Sequence, residues 1–194
     1  MRLLSNFTAK AILLSLAFIS SNAFAQLTLN PSVSSVNFLS TKNTNITETH
    51  SFKQFDGVID EQGKLTLNID LASVETMIPI RNERMQKMLF NVADFAKATF
   101  SADLDKSLLA LESGESTLAT VSGDLTISGQ TQAYSFDVVI TGLEDGKVAA
   151  ATVKPTVIKA SEFGLDKGIE ALREVAGLKA ISETVPLTFY VVFE

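Results

Sequence analysis

Cysteine is absent from the 194 residues, and histidine occurs once, as His50. Without a thiol there is no disulfide, no thiolate metal site and no Cys–His pair, and one imidazole cannot build a His-rich metal centre. Tryptophan is also missing and tyrosine occurs only twice, which furnishes the aromatic girdles of an outer-membrane barrel badly. Basic residues are in deficit: 16 Lys and Arg stand against 22 Asp and Glu, for a net charge of −6. That sign argues against nucleic acid, or an anionic membrane surface, as an electrostatic partner. No glycine-rich phosphate loop occurs; Gly123 and Gly129 read as a close strand approach and a turn.

Catalytic groups are correspondingly few. His50 sits in Thr49-His50-Ser51-Phe52, so a Ser–His–Asp arrangement is formally available, but no nucleophile-elbow motif accompanies it. A lone strand histidine is more often a hydrogen-bonded structural residue. Asp124 and Asp137 are placed to approach across a hairpin, although carboxylates here mostly mark solvated turns. The expectation is a protein that is not an enzyme, needs no cofactor and holds no metal.

Long hydrophobic runs are confined to the start. Arg2 and Lys10 precede an apolar run over residues 11–19, and Ala23-Phe24-Ala25 supplies a small-residue cleavage pattern. The run is shorter than the roughly 20 apolar residues a membrane-spanning helix needs. Residues 1–25 are therefore expected to be a secretory signal peptide and residues 26–194 one mature domain. Export without disulfides suits a periplasmic address and a protein that is not integral to the membrane.

What remains is alternation. Leu65, Leu67, Ile69 and Leu71 alternate with polar residues; so do Val121, Gly123, Leu125 and Ile127, then Tyr134, Phe136, Val138 and Ile140. Val185, Leu187, Phe189, Val191 and Phe193 give a last strand with one large apolar face. Residues 148–158 are strand-like, with Pro155 demanding an edge or a bulge. Two stretches break the pattern. Residues 81–92 are helix formers with Met85, Met88, Leu89 and Val92 on one face. Residues 167–179 place Ile169, Leu172 and Ala176 on a helical face, with Gly177 as C-terminal cap. About eight antiparallel strands with one or two short helices fit an all-β up-and-down barrel or a two-sheet sandwich.

Of 13 phenylalanines, Phe7, Phe18 and Phe24 lie in the leader. Phe38, Phe52, Phe55, Phe90, Phe95 and Phe100 crowd the first half of the remainder, around the helical insert. Core filling explains any one of them; as a set they suit a long apolar ligand, since burial contributes about 0.8 kcal/mol per CH₂.

The succession Phe55-Asp56-Gly57-Val58-Ile59-Asp60, Ser73-Val74-Glu75-Thr76, Arg81-Asn82-Glu83-Arg84-Met85, Ala98-Thr99-Phe100, Gly123-Asp124-Leu125-Thr126-Ile127-Ser128-Gly129 and Glu162-Phe163-Gly164, ahead of the final apolar strand, resembles the YceI-like family of periplasmic proteins. The resemblance covers nearly all of residues 26–194. It implies an extended, lipocalin-like antiparallel β-barrel with a helix at its side and a tunnel for a polyisoprenoid, an isoprenoid quinone or a fatty amide. It implies no catalytic set. Departures fall at Phe95-Ala96, where many members carry Tyr-Pro, at Arg81 to Met85, where many carry Arg-Asp-x-His-Leu, and at Ser128, where many carry His.

The expected function is thus a periplasmic carrier holding an isoprenoid-type lipid inside the barrel. The six phenylalanines are its expected tail contacts. Arg81 and Arg84 are candidates for a polar head, because Arg offers a planar fork of donors; a solvated helix face is the alternative for each. The helical insert is expected to cover a barrel opening with Phe90, Phe95 and Phe100 turned toward the tail. A lipid-modifying enzyme using His50 and a filled barrel serving stress or partner docking are the alternatives. A homodimer paired through a sheet edge stays open.

Overall fold

Each alternating strand has an apolar face to cover, and the chain covers all of them by curling one antiparallel sheet onto itself. The computed structural model describes residues 25–194; apart from Ala25, the expected leader lies outside the described residues. Twelve strand segments are present: β1 (Leu27–Thr28), β2 (Ser35–Lys42), β3 (Ile46–Phe52), β4 (Phe55–Ile59), β5 (Lys64–Asp70), β6 (Val74–Glu75), β7 (Lys97–Asp103), β8 (Ser116–Ile127), β9 (Gln130–Gly142), β10 (Val148–Thr152), β11 (Thr156–Lys159) and β12 (Thr184–Phe193).

The sheet order is β1-β4-β5-β7-β8-β9-β10-β12-β2-β3-β6, with β11 also paired to β12. The segment count exceeds the expected eight because four strands are kinked. β2 carries on from β1, β4 from β3, β6 from β5 and β11 from β10, since each couple borders the same neighbouring runs of chain. Pro155 lies in the break between β10 and β11, where a residue without an N–H is tolerated.

The sheet closes where β1, first in that order, meets the end of β12. Leu29 forms a bridge with Phe193. Thr28 N–H donates to the Glu194 carbonyl at 2.7 Å, and Glu194 N–H returns the bond to Thr28 at 2.9 Å. On its other side Leu29 N–H donates to the Gly57 carbonyl at 2.8 Å. The first strand therefore closes a lipocalin-like barrel.

The helical insert differs from the expected continuous helix over residues 81–92. It comprises α1 (Pro79–Arg84) and then a π-helical turn (Met85–Leu89). Phe90 N–H reaches back five residues to the Met85 carbonyl at 2.9 Å, and Val92 N–H reaches Gln86 at 3.0 Å. This wider turn rotates the chain. Met85 and Phe90 become buried, whereas Met88, expected on the buried face, is 37% exposed.

The second helix, α2 (Asp166–Val175), ends as expected at Gly177, whose φ of 62° lets Leu178 N–H donate back to Arg173; Ala176, expected on the buried face, is exposed. It crosses the π-helical turn at Gly168, where a Cβ would meet the Met88 carbonyl at 2.7 Å.

Gly123 is the close strand approach the sequence indicated. A Cβ there would collide with the Ser101 carbonyl of β7 and stand 2.9 Å from the Phe100 ring. Gly123→Ala is expected to cost about 1–3 kcal/mol through overpacking. Urea unfolding checks this; an unchanged midpoint would show that β7 and β8 can separate freely.

Candidate functional site

The inward positions distinguish a filled barrel from a hollow one. Leu65, Leu67 and Ile69 of β5, Val121 of β8 and Leu187 and Phe189 of β12 all point inside, yet they are only half-buried. They border a cavity of about 170 Å³. Engineered apolar cavities of about 150 Å³ stay dry and accept benzene or xenon, so this space suits an apolar segment. Its 25 lining residues are all Val, Ile, Leu, Ala or Phe. Nothing in the lining can orient a ligand by hydrogen bonding. The filled-barrel alternative required an interior without such space.

Three of the expected contacts, Phe52, Phe90 and Phe100, line this cavity. Phe90 arrives from the helical insert, which therefore forms part of the cavity wall. Phe38 is buried beyond the lining, 5.3 Å from Phe52 between ring centroids. Phe55 is buried on β4 but is not a lining residue. Phe95, expected to turn toward the tail, is 37% exposed and instead packs on the turn at Gly129.

The first-half cluster also left out half of the aromatic wall. Phe136 stands edge-on to both Phe100 and Phe189, at 5.1 and 5.6 Å, and Phe193 closes the lining at the seam. Their signal was the alternation of β9 and β12, which marks the inward face as clearly as any phenylalanine cluster.

Beyond Phe52 the inward face turns polar. On β3, His50 and Glu48 follow Phe52 at alternate positions; across the pairing, Val36, Phe38 and Ser40 of β2 oppose them in turn. Glu48 is held by Lys42 at 2.7 Å and by Arg81 Nη1 at 2.8 Å. Arg81 Nη2 donates to the Thr76 carbonyl. Asn82 of α1 accepts from the buried Thr76 N–H at 2.9 Å and donates to Glu75 at 3.1 Å. These bonds hold the loop before α1, in which Met77 adopts a φ of 61°. Arg84 is half-buried and joins neither the lining nor these hydrogen bonds.

His50 is packed into the wall of the barrel at its polar end. It is 4% exposed, it meets Phe38 edge-on at 5.3 Å, and its Nδ1 has no partner among the described residues. Burial pushes its pKa down, and the Arg81 charge pushes it further. The bonded Lys42 ammonium, and then Arg81, hold the Glu48 carboxyl below its usual range against the opposing effect of burial. Asp124 and Asp137 do not approach: Asp124 lies opposite Ala133, while Asp137 lies opposite Thr120 and pairs with Lys154 at 2.7 Å. Among the described residues no group of three or more His, Asp or Glu is placed to hold a metal ion, and no helix is long and apolar enough to cross a membrane.

A depressed histidine pKa makes a signed prediction. Below about pH 6.5 the unfolded chain binds a proton at His50 that the folded chain refuses, so stability falls on acidification. His50→Phe is expected to flatten the urea midpoint between pH 6.5 and the onset of carboxylate titration. A wild-type midpoint that is already flat in that window would show that His50 is solvated.

The YceI-like domain pattern matches residues 27–193. Among solved structures, a polyisoprenoid binding domain from Saccharophagus degradans implicated in plant cell wall breakdown is 36% identical. It superposes with a TM-score of 0.84 and covers 88% of this chain and 98% of its own. BcnA from Burkholderia cenocepacia shares the fold at 23% identity and a TM-score of 0.61, covering 84% of this chain and 98% of its own. A YCEI protein from Campylobacter jejuni does so at 22% identity and a TM-score of 0.55, covering 74% and 82%. No curated protein sequence matches. A closed barrel with a side helix, a domain pattern over nearly every described residue and a relative more than one-third identical place the chain in the YceI-like family.

Proposed function

We propose that the protein binds an isoprenoid-type lipid, with its apolar chain inside the barrel, and carries or stores it in the periplasm. The observation that supports this reading is the cavity whose every lining side chain is apolar. A wall without polar groups discriminates poorly among hydrocarbons but excludes polar solutes, whose desolvation it cannot repay. The likeness to a polyisoprenoid binding domain at 36% identity favours a branched, long-chain ligand. The leader-like residues 1–25 support export and a mature domain over residues 26–194.

A chain lying in this space is not held by any one strong bond. Each buried CH₂ contributes about 0.8 kcal/mol, so a dozen carbons offset the several kcal/mol lost on association. The cavity is small for a whole polyisoprenoid, so the ligand displaces side chains as it enters. Half-buried Leu65, Leu67 and Leu187 are the groups with room to move. Binding without turnover fits His50, which is buried, meets Phe38 edge-on and has no hydrogen-bond partner at Nδ1 among the described residues.

Protein purified from its native host and extracted with organic solvent is expected to yield an isoprenoid, an isoprenoid quinone or a fatty amide by mass spectrometry. Ala150, on β10 in the cavity wall, supplies the control. Ala150→Phe fills the space and is expected to reduce the recovered lipid at least tenfold while the protein stays folded. Equal recovery from both proteins would place the lipid on the surface, and repeated recovery of none would refute the reading.

A further inference from the structure

Met77, Ile78, Pro79 and Ile80, which lead from β6 into α1, are four successive apolar residues, and all four are exposed. Met77 is 83% exposed, Ile80 52% and Ile78 43%. Elsewhere among the described residues, exposed large apolar side chains stand singly along the chain. Single ones are ordinary, whereas a run of four is a liability unless something covers it. The backbone holds this run outward. Met77 has a φ of 61°, a left-handed conformation that a bulky side chain rarely adopts. Its N–H donates to Glu75 Oε1 at 2.6 Å, and Asn82 ties Glu75 to the buried Thr76. Such a conformation persists only where its surroundings fix it.

The helix that follows adds charge to the same surface. Ile80, Glu83, Arg84 and Lys87 fall at the spacing of one helical face, and Lys87 reaches Glu83 at 2.6 Å. Arg84 joins no ion pair among the described residues. From Pro79 to Leu89, Arg81, Arg84 and Lys87 stand against Glu83 alone, a net charge of +2 on a chain of −6. Neighbouring α2 is close to balance, with Asp166, Glu170 and Glu174 against Lys167 and Arg173. The acidic excess therefore lies elsewhere, and the net charge that argues against an anionic surface for the whole chain does not describe this end.

Size selects the occupant. An aromatic side chain buries about 150–250 Å², so four smaller, partly exposed ones fall well short of the roughly 800 Å² each partner gives to a standard protein interface. A bilayer accepts a short wedge without needing a matching flat surface. We propose that this tip docks the protein on a lipid bilayer containing anionic lipids. Met77, Ile78 and Ile80 enter the acyl boundary while Arg84 and Lys87 lie at the phosphates. The acidic remainder is turned away, which orients the approach. Phe90, later in the same insert, lines the cavity, so docking sets a segment of the cavity wall against the membrane. The inference rests on the lipid-binding reading and adds the surface at which the cavity is loaded.

Flotation of the protein purified from its native host, with phosphatidylcholine vesicles containing or lacking phosphatidylglycerol, tests the docking surface. Wild type is expected to float with both and more strongly with the anionic ones. Met77→Asn combined with Ile80→Gln is expected to lower binding to both about tenfold or more. Its urea midpoint should hold, because Asn suits left-handed backbone and both sites are exposed. Arg84→Gln combined with Lys87→Gln is expected to lower binding to the anionic vesicles about fivefold or more and to leave neutral vesicles unaffected. Wild type that floats with neither vesicle, or a tip variant that floats as well as wild type, would overturn the proposal. Self-association in sedimentation that the tip variant loses, without vesicle binding, would assign the tip to a second copy instead. Organic extraction of the same samples keeps the two readings apart. Lipid recovered from a protein that ignores vesicles removes the docking surface alone, and docking by a protein that never yields lipid removes the cavity reading alone.

Discussion

The hollow interior depends on the seam where β1 meets the end of β12. Thr28 and Glu194 exchange backbone hydrogen bonds there, with Leu29 and Phe193 buried beside them. Gly57 lies against both, with room at its Cβ position only down to 3.4 Å from Leu29 and Phe193 and 3.3 Å from a backbone carbonyl. No disulfide is available to replace these contacts. An open seam would expose two strand edges and drain the difference between inside and outside. Closure therefore creates both the stability of the sheet and the apolar space it surrounds.

Given closure, the character of the interior follows from which residues alternate inward. Along most strands these are aliphatic or aromatic, and they leave a cavity of about 170 Å³ between them. Along β2 and β3 the pattern changes as the strands run on, from Val36 and Phe52 through Phe38 and His50 to Ser40 and Glu48. One barrel thus holds an apolar body and a polar end. The helical insert completes both: Phe90 adds to the apolar wall and Arg81 to the polar end. Asn82, through Thr76 and Glu75, fixes the loop from which that insert starts.

Much of this was legible in the sequence. Period-two alternation at Leu65–Leu67–Ile69 and through β12 set the strands and their inward faces, and Gly123 and Pro155 marked a close approach and a break. The closed, side-helix barrel followed from those patterns together with the family motifs. The segment count was not legible, because kinks that split eight strands into twelve segments arise from barrel curvature. Nor was the π-helical turn, which leaves Met88 outside through one extra backbone step that side-chain spacing does not encode. Hollowness came only from the family resemblance, since an inward Leu reads the same whether it meets a neighbour or a void. Arg81 and Arg84 look alike in sequence; only the fold shows that Arg81 reaches Glu48 while Arg84 does not.

The central claim is that the barrel interior is a lipid site. A crystal structure of the protein purified with its native lipid tests it most directly. The account requires continuous density for a hydrocarbon chain between Phe52 and Phe193. An interior closed by repacked side chains, or lipid density confined to the outer face of the sheet, would contradict it.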